Sequence, residues 1–155
     1  MALPLLLDSG ILAKAVHPAV EENKPFVIAL SRLAQDVRYK VCVPEIIDYE
    51  LRRKLLHLGH HPHQARKWAQ EALTLLDRLI SANYIPITTD TMRLAARIWA
   101  QTRAKGQSRA SEDKLDIDVI LAAQARQSGG HIITTNEKHF RDIADVFDWR
   151  PFRPP

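Results

Sequence analysis

Four polar residues stand where apolar segments begin or end: Asp8, Glu50, Asp118 and Asn136. Asp8 terminates Leu3-Pro4-Leu5-Leu6-Leu7, an unbroken apolar run of the kind that forms a strand buried on both faces of a parallel sheet. Glu50 lies within Ile46-Ile47-Asp48-Tyr49-Glu50-Leu51, Asp118 opens Asp118-Val119-Ile120-Leu121-Ala122-Ala123, and Asn136 comes just after Ile132-Ile133-Thr134. In an open α/β sheet, strand ends and helix starts meet at the carboxyl edge, where one cleft can collect all four side chains. Carboxylates gathered without compensation repel one another and hold their protons more tightly. A hard divalent cation resolves that conflict. Mg²⁺ takes few carboxylates and keeps waters and phosphate oxygens, and Mn²⁺ accepts similar ligands. Such an ion orients water for in-line attack on phosphorus, so no side-chain nucleophile is required.

Each residue also has a plainer reading. Asp8 could simply cap the helix that follows it. Glu50 borders an apolar stripe of Ile46, Ile47, Leu51 and Leu55, which turns it along the protein; its plainer role is an i,i+4 pair with Lys54, worth roughly a few tenths of a kcal/mol. Asp116 and Asp118 lie two apart and face different directions on a helix. Either Asp116 is the N-cap and supports the site while Asp118 faces the cleft, or Asp116 is the ligand.

The elements that must position these groups follow from periodicity. A short helix is expected over 10–16 and a second one after Pro25, with Phe26, Leu30, Leu33 and Val37 at helical spacing. The β-branched run 39–43 predicts a second strand, closed by Pro44. Helices over about 45–58 and 62–82 predict a helical hairpin inserted before a third strand at 84–88, where Pro86 implies an edge position or a bulge. Thr89 or Asp90 is the expected cap of the next helix, and the basic stretch from Arg103 to Lys114 reads as a loop. A helix over 115–127 ends at Gly129-Gly130, strand four covers 131–134, and Phe147-Asp148-Trp149-Arg150 predicts a small fifth strand. Alternating strands and helices give a three-layer α/β/α sandwich with a mainly parallel sheet of four to five strands. No repeat or linker divides the chain, so residues 1–155 read as a single domain.

Composition sets the class. With 155 residues, 46% hydrophobic and 26% charged, the chain can bury one core. No apolar run approaches the roughly 18 residues of a membrane span. The start Met-Ala-Leu-Pro has no basic n-region, which predicts no signal peptide. The lone Cys42 excludes an intrachain disulfide and fits a cytoplasmic protein. A formal charge of +4 favours a polyanionic partner. The densest basic stretches supply Arg52, Arg53, Arg103, Lys105 and Arg109 as candidates for an RNA-binding rim around an acidic floor.

Taken together, Leu6-Leu7-Asp8-Ser9, Tyr49-Glu50-Leu51, Asp118-Val119-Ile120-Leu121-Ala122-Ala123 and Ile133-Thr134-Thr135-Asn136-Glu137-Lys138-His139-Phe140 resemble the PIN-domain family in order and spacing over nearly the whole chain. Within it the likeness is to VapC-type toxins of prokaryotic toxin–antitoxin pairs. The resemblance implies an Mg²⁺- or Mn²⁺-dependent endoribonuclease, usually a homodimer, held in check by a cognate antitoxin. It implies that Asp8, Glu50 and Asp118 are the acidic metal ligands, with Asn136 at a fourth position that is aspartate in many members. Thr134 matches a hydroxyl that orients this edge, Ser9 a small polar residue beside the first acid, and Phe140 a buried aromatic anchor. Two positions depart from the pattern. Gly10 stands where the family often has Ser or Asn, removing one supporting hydrogen bond. Asn136 is neutral, so the pocket carries one negative charge fewer.

Other signals carry less. His57, His60, His61 and His63 lack the paired spacing and the cysteines of a structural zinc site. His139 lies beside the candidate site and reads either as a phosphate contact or as an ordinary loop histidine. Trp68, Trp99 and Trp149 sit in apolar patterns and read as core or dimer contacts rather than base-stacking platforms. No glycine-rich nucleotide loop is present, and Asp8-Ser9-Gly10 lacks the second aspartate of a haloacid-dehalogenase-like phosphatase. Two rival functions stay open: a catalytically weak or inactive RNA- or protein-binding module on the same fold, and a small-molecule phosphohydrolase using the same acids.

Overall fold

Leu5, Leu6 and Leu7 are all buried, as a strand covered on both faces requires. In the computed structural model, which describes residues 1–61, 63–106 and 112–155, this strand is β1 (Leu3–Leu7). It pairs in parallel with β2 (Tyr39–Pro44) on one side and with β4 (His131–Ile133) on the other. A two-residue β3 (Tyr84–Ile85) pairs with β2 and completes a four-stranded parallel sheet in the order β3-β2-β1-β4.

Helices make every crossover. Between β1 and β2 run α1 (Ser9–Ala15) and α2 (Lys24–Gln35), and between β2 and β3 run α3 (Glu45–Leu58) and α4 (His63–Ala82). Then α5 (Thr89–Ala104) and α6 (Glu112–Ser128) carry the chain back past β1 to β4. The sheet therefore grows outward through β2 and β3 and then reverses. Right-handed crossovers in two directions put helices on opposite faces of the sheet. The reversal leaves a crevice at the carboxyl ends of β1 and β4, the place where such sheets bind ligands.

Local chemistry fixes the approach of α6 to β4. Gly129 takes φ 66°, and two hydrogen bonds, Gly130 N to Ala125 O at 2.9 Å and Gly129 N to Arg126 O at 3.3 Å, close the helix as a Schellman turn. Gly130 lies against β1 so tightly that a Cβ there would stand 2.7 Å from the Pro4 carbonyl oxygen. The middle of α6 is buried nearly all round, with Ile117, Asp118, Val119, Leu121, Ala122, Ala123, Gln124 and Ala125 out of solvent, so this part runs through the interior rather than over it.

Several expectations are corrected. Thr88, not Thr89 or Asp90, caps α5, in a capping box with Thr91. Arg103 and Ala104 are still helical, and Glu112 to Lys114 already form the first turn of α6; of the expected loop, Lys105 and Gly106 are in a turn and 107–111 lie outside the described residues. Because α6 starts at Glu112, Asp116 is not its N-cap. No fifth strand forms among the described residues. Val146 makes a single bridge to Ile132, and the chain then turns through Arg150–Phe152, where Pro151 has no N–H to continue a ladder. Among the described residues, no helix is long and apolar enough to cross a membrane.

Candidate active site

Asp8 caps a helix and is also tied to the strand beside it. Its backbone is the N-cap of α1, and its Oδ1 accepts a 2.7 Å hydrogen bond from Ser9 N. Its Oδ2 accepts a 2.7 Å hydrogen bond from Thr134 Oγ1, which follows β4 across the crevice. Thr134 Oγ1 in turn accepts from Asn136 N at 2.9 Å, so one buried hydroxyl ties the first acid to the loop after β4.

Glu50 enters from α3 and is only 5% exposed despite sitting mid-helix. Its Oε1 accepts from Lys54 Nζ at 3.1 Å, so the i,i+4 pair exists, but on a buried carboxylate. Burial opposes its charge; Lys54, Lys114 and the Ser9 hydroxyl outweigh burial and hold its pKa below the usual carboxylate value. The second oxygen, Oε2, is buried and has no hydrogen-bond partner.

Asp118 enters from α6 and is 3% exposed. Lys114 Nζ stands 3.4 Å from its Oδ1 and His139 Nδ1 stands 3.2 Å from its Oδ2. The Lys114 approach is a charge contact without hydrogen-bond geometry, since Oδ1 remains unbonded. Burial, together with the nearby charge of Asp8, raises the Asp118 pKa, although Lys114 and His139 pull it down. Lys114 feels burial too, but Asp118, Glu50 and Asp8 together raise its pKa and keep the ammonium charged. One ammonium thus lies within the field of all three acids.

Among the described residues, no three His, Cys, Asp or Glu side chains stand close enough to hold a metal ion as they are arranged. The donor set nevertheless fits a hard cation. All the acids are oxygen donors, and Glu50 Oε2 and Asp118 Oδ1 are buried without a hydrogen-bond partner, Oδ1 having only the charge contact of Lys114. Such atoms are costly to bury and become favourable when a cation reaches them.

The other expected residues distribute differently. Asn136 is exposed at the mouth and contributes its backbone amide, and Phe140 is fully buried beneath the loop. Asp116 is exposed, unlike the buried Asp118, so it stands outside the acid cluster. Arg52 is held by Asp48 at 2.9 Å and Asp77 at 2.8 Å, which spends its charge on the α3–α4 pair. Arg53 lies over the Tyr49 ring and Arg103 over the Trp99 ring; Lys105 is exposed after α5, and Arg109 lies outside the described residues. Trp149 packs on Phe26, and Trp68 packs edge-on against His17. His57, in the last turn of α3, and His61, in the turn after it, bring their Nε2 atoms to 3.5 Å.

Lys114 was not legible as a site residue, because the sequence places it in a loop. Its signal is its spacing, one helical turn before Asp118. Beyond Asn136, an open groove of about 770 Å³ runs past Lys138, His139, Arg141 and Arg150. Of these, Arg150 is engaged by Asp148 at 2.6 Å.

A parallel α/β sheet with buried acids just after β1 and on α3 and α6, by its reversal point, defines the class of protein. The chain belongs to the PIN domain family, whose pattern matches residues 5–146. PIN domains are typically metal-dependent nucleases. No curated protein matches the chain significantly in sequence. Solved structures are similar in fold: a chain of VapBC2 from Rickettsia felis bound to a promoter DNA fragment (TM-score 0.70, 16% identity, covering 95% of this chain and 99% of that one). A chain of FitAcB from Neisseria gonorrhoeae gives a TM-score of 0.67 at 21% identity, covering 94% and 97%. A chain of DNA-bound VapBC from Salmonella typhimurium gives 0.67 at 19%, covering 95% and 98%.

Proposed function

We propose that the chain is one PIN domain that acts as an Mg²⁺- or Mn²⁺-dependent endoribonuclease, the toxin of a toxin–antitoxin pair. The observation that carries this reading is the field of three buried carboxylates, Asp8, Glu50 and Asp118, with two of their oxygens left without hydrogen-bond partners. The order of motifs and the likeness in fold to chains of VapBC and FitAB structures support the toxin role. On the same reading the protein is a cytoplasmic homodimer with a cognate antitoxin as partner.

In this reading Asp8, Glu50 and Asp118 hold the metal. When bound, the metal polarises water and stabilises charge on a phosphodiester undergoing in-line displacement. Thr134 and Ser9 hold Asp8 in place from both of its oxygens. Asn136, at the mouth, is placed to meet substrate or water. The groove past Lys138 and Arg141 is a better candidate than Arg52 for receiving the flanking phosphates, because Arg52 is already paired.

The neutral, exposed Asn136 favours a second reading, a binding module with little turnover. Incubating the protein with a mixed RNA pool, single-stranded DNA and a soluble phosphate monoester, each with Mg²⁺, Mn²⁺ or EDTA, separates the possibilities. Metal-dependent cuts confined to RNA are expected. RNA retained intact would favour the binding module, and ester hydrolysis with RNA untouched would favour a small-molecule phosphohydrolase.

A further inference from the structure

Lys114 is the residue for which the nuclease reading has no use so far. It sits in the first turn of α6, half-buried, with its ammonium 3.4 Å from Asp118 Oδ1 and within the field of Asp8 and Glu50. A surface lysine paired with one carboxylate would be unremarked. This one is attracted by three, two of them from other elements of the fold. Lys54 draws Glu50 Oε1 in a similar way, and among the described residues no three His, Cys, Asp or Glu side chains stand close enough to share one ion.

We propose that Lys114 is the built-in counter-ion of this acid cluster: its ammonium neutralises Asp8, Glu50 and Asp118 when no metal is present and competes with a divalent cation for them. The inference rests on the reading of these three acids as a metal site. Its physical basis is simple. A cluster of buried like charges raises its own energy, and a fixed positive charge beside it relieves the repulsion. A dication that takes the same carboxylates meets that positive charge and must overcome its repulsion. Lys114 therefore stabilises the metal-free protein and weakens metal binding at the same time. An ordinary structural salt bridge would do only the first.

The test is Mn²⁺ titration by calorimetry on the metal-free full chain, run on the parent and on Lys114→Met, Lys114→Gln and Lys114→Arg, beside thermal melts without metal. Lys114→Met and Lys114→Gln should melt lower without metal and bind Mn²⁺ about tenfold tighter, the scale on which groups contacting metal ligands change affinity. Lys114→Arg keeps the charge and should stay near the parent. If one neutral variant does not fold, the other decides. Parent binding that is unchanged or weaker in the neutral variants overturns the counter-ion role and leaves the metal site standing. Absence of Mn²⁺ binding in parent and variants alike overturns the metal site and this inference with it. Binding by the neutral variants alone would be the strongest form of the expected result.

Discussion

Thr134 and Asp8, 126 positions apart in the chain, share a buried 2.7 Å hydrogen bond at the carboxyl ends of two adjacent strands. The pairing of Leu7 with Ile133 in the sheet puts them opposite each other one step further on. Thr134→Val removes the donor to Asp8 and the acceptor for Asn136 N at once. Unfolding in urea should show a loss of about 1–3 kcal/mol, the cost of leaving buried partners unsatisfied. Thr134→Ser keeps the hydroxyl and should lose less, and RNA cleavage should follow the same order.

Asp118→Asn should separate function from stability. The buried carboxylate lies near another acid, and Lys114 and His139 are exposed enough to be rehydrated when it is gone. Cleavage should fall by about a hundredfold or more, the scale set by losing a group that stabilises transition-state charge. The metal-free variant should unfold at an unchanged or higher denaturant concentration, as is usual where function costs stability.

Two glycines should respond oppositely to alanine. At Gly130 a Cβ would meet Leu6 Cδ1 at 2.6 Å and the Pro4 oxygen at 2.7 Å, so Gly130→Ala should destabilise by about 1–3 kcal/mol through overpacking of α6 against β1. At Gly10 the nearest atom is Thr135 Oγ1 at 3.7 Å, an ordinary contact within helix α1. Gly10→Ala should therefore stabilise by about 0.5–1 kcal/mol. Paired thermal melts check both signs.

Tyr84, on the edge strand, should titrate late. Burial comes first among the causes, and the charges of Glu45 and Asp48 add to it, pushing the phenol up to about 12 from its ordinary 10.0. The folded form holds the proton more tightly than the unfolded form. Its contribution to stability is thus complete below pH 10.0 and is lost as pH rises towards about 12. An ultraviolet absorbance titration of the parent against Tyr84→Phe should show the late phenol missing from the variant.

Much of this site can be read before any coordinates are known. The abrupt change from Leu7 to Asp8 marks the end of a buried central strand, and the helix over Glu45–Leu58 follows directly from its apolar spacing. What escaped is mostly charge pairing across elements. Lys114 reads as loop because Glu112 to Lys114 offer no apolar residue to extend the helical pattern, although Asp and Glu suit a first turn. Arg52 reads as free although Asp48 stands one turn before it, and its second partner Asp77 lies on another helix. His139 reads either as a phosphate contact or as a loop histidine, and only the folded chain brings it to Asp118. The absent fifth strand is a failure of a different kind: Phe147 and Phe152 pack on Tyr39, and Trp149 on Phe26, through their rings instead of forming a ladder.

The most direct test compares RNA cleavage by the parent and by Asp8→Asn, each with Mn²⁺ and with EDTA. Asparagine caps a helix as well as aspartate does, so the variant should fold and melt near the parent. Cleavage by the parent that needs the metal, and a loss of about a hundredfold or more in the variant, are the expected results. A variant that cuts as fast as the parent, or a parent indifferent to EDTA, would contradict a metal centre built on Asp8.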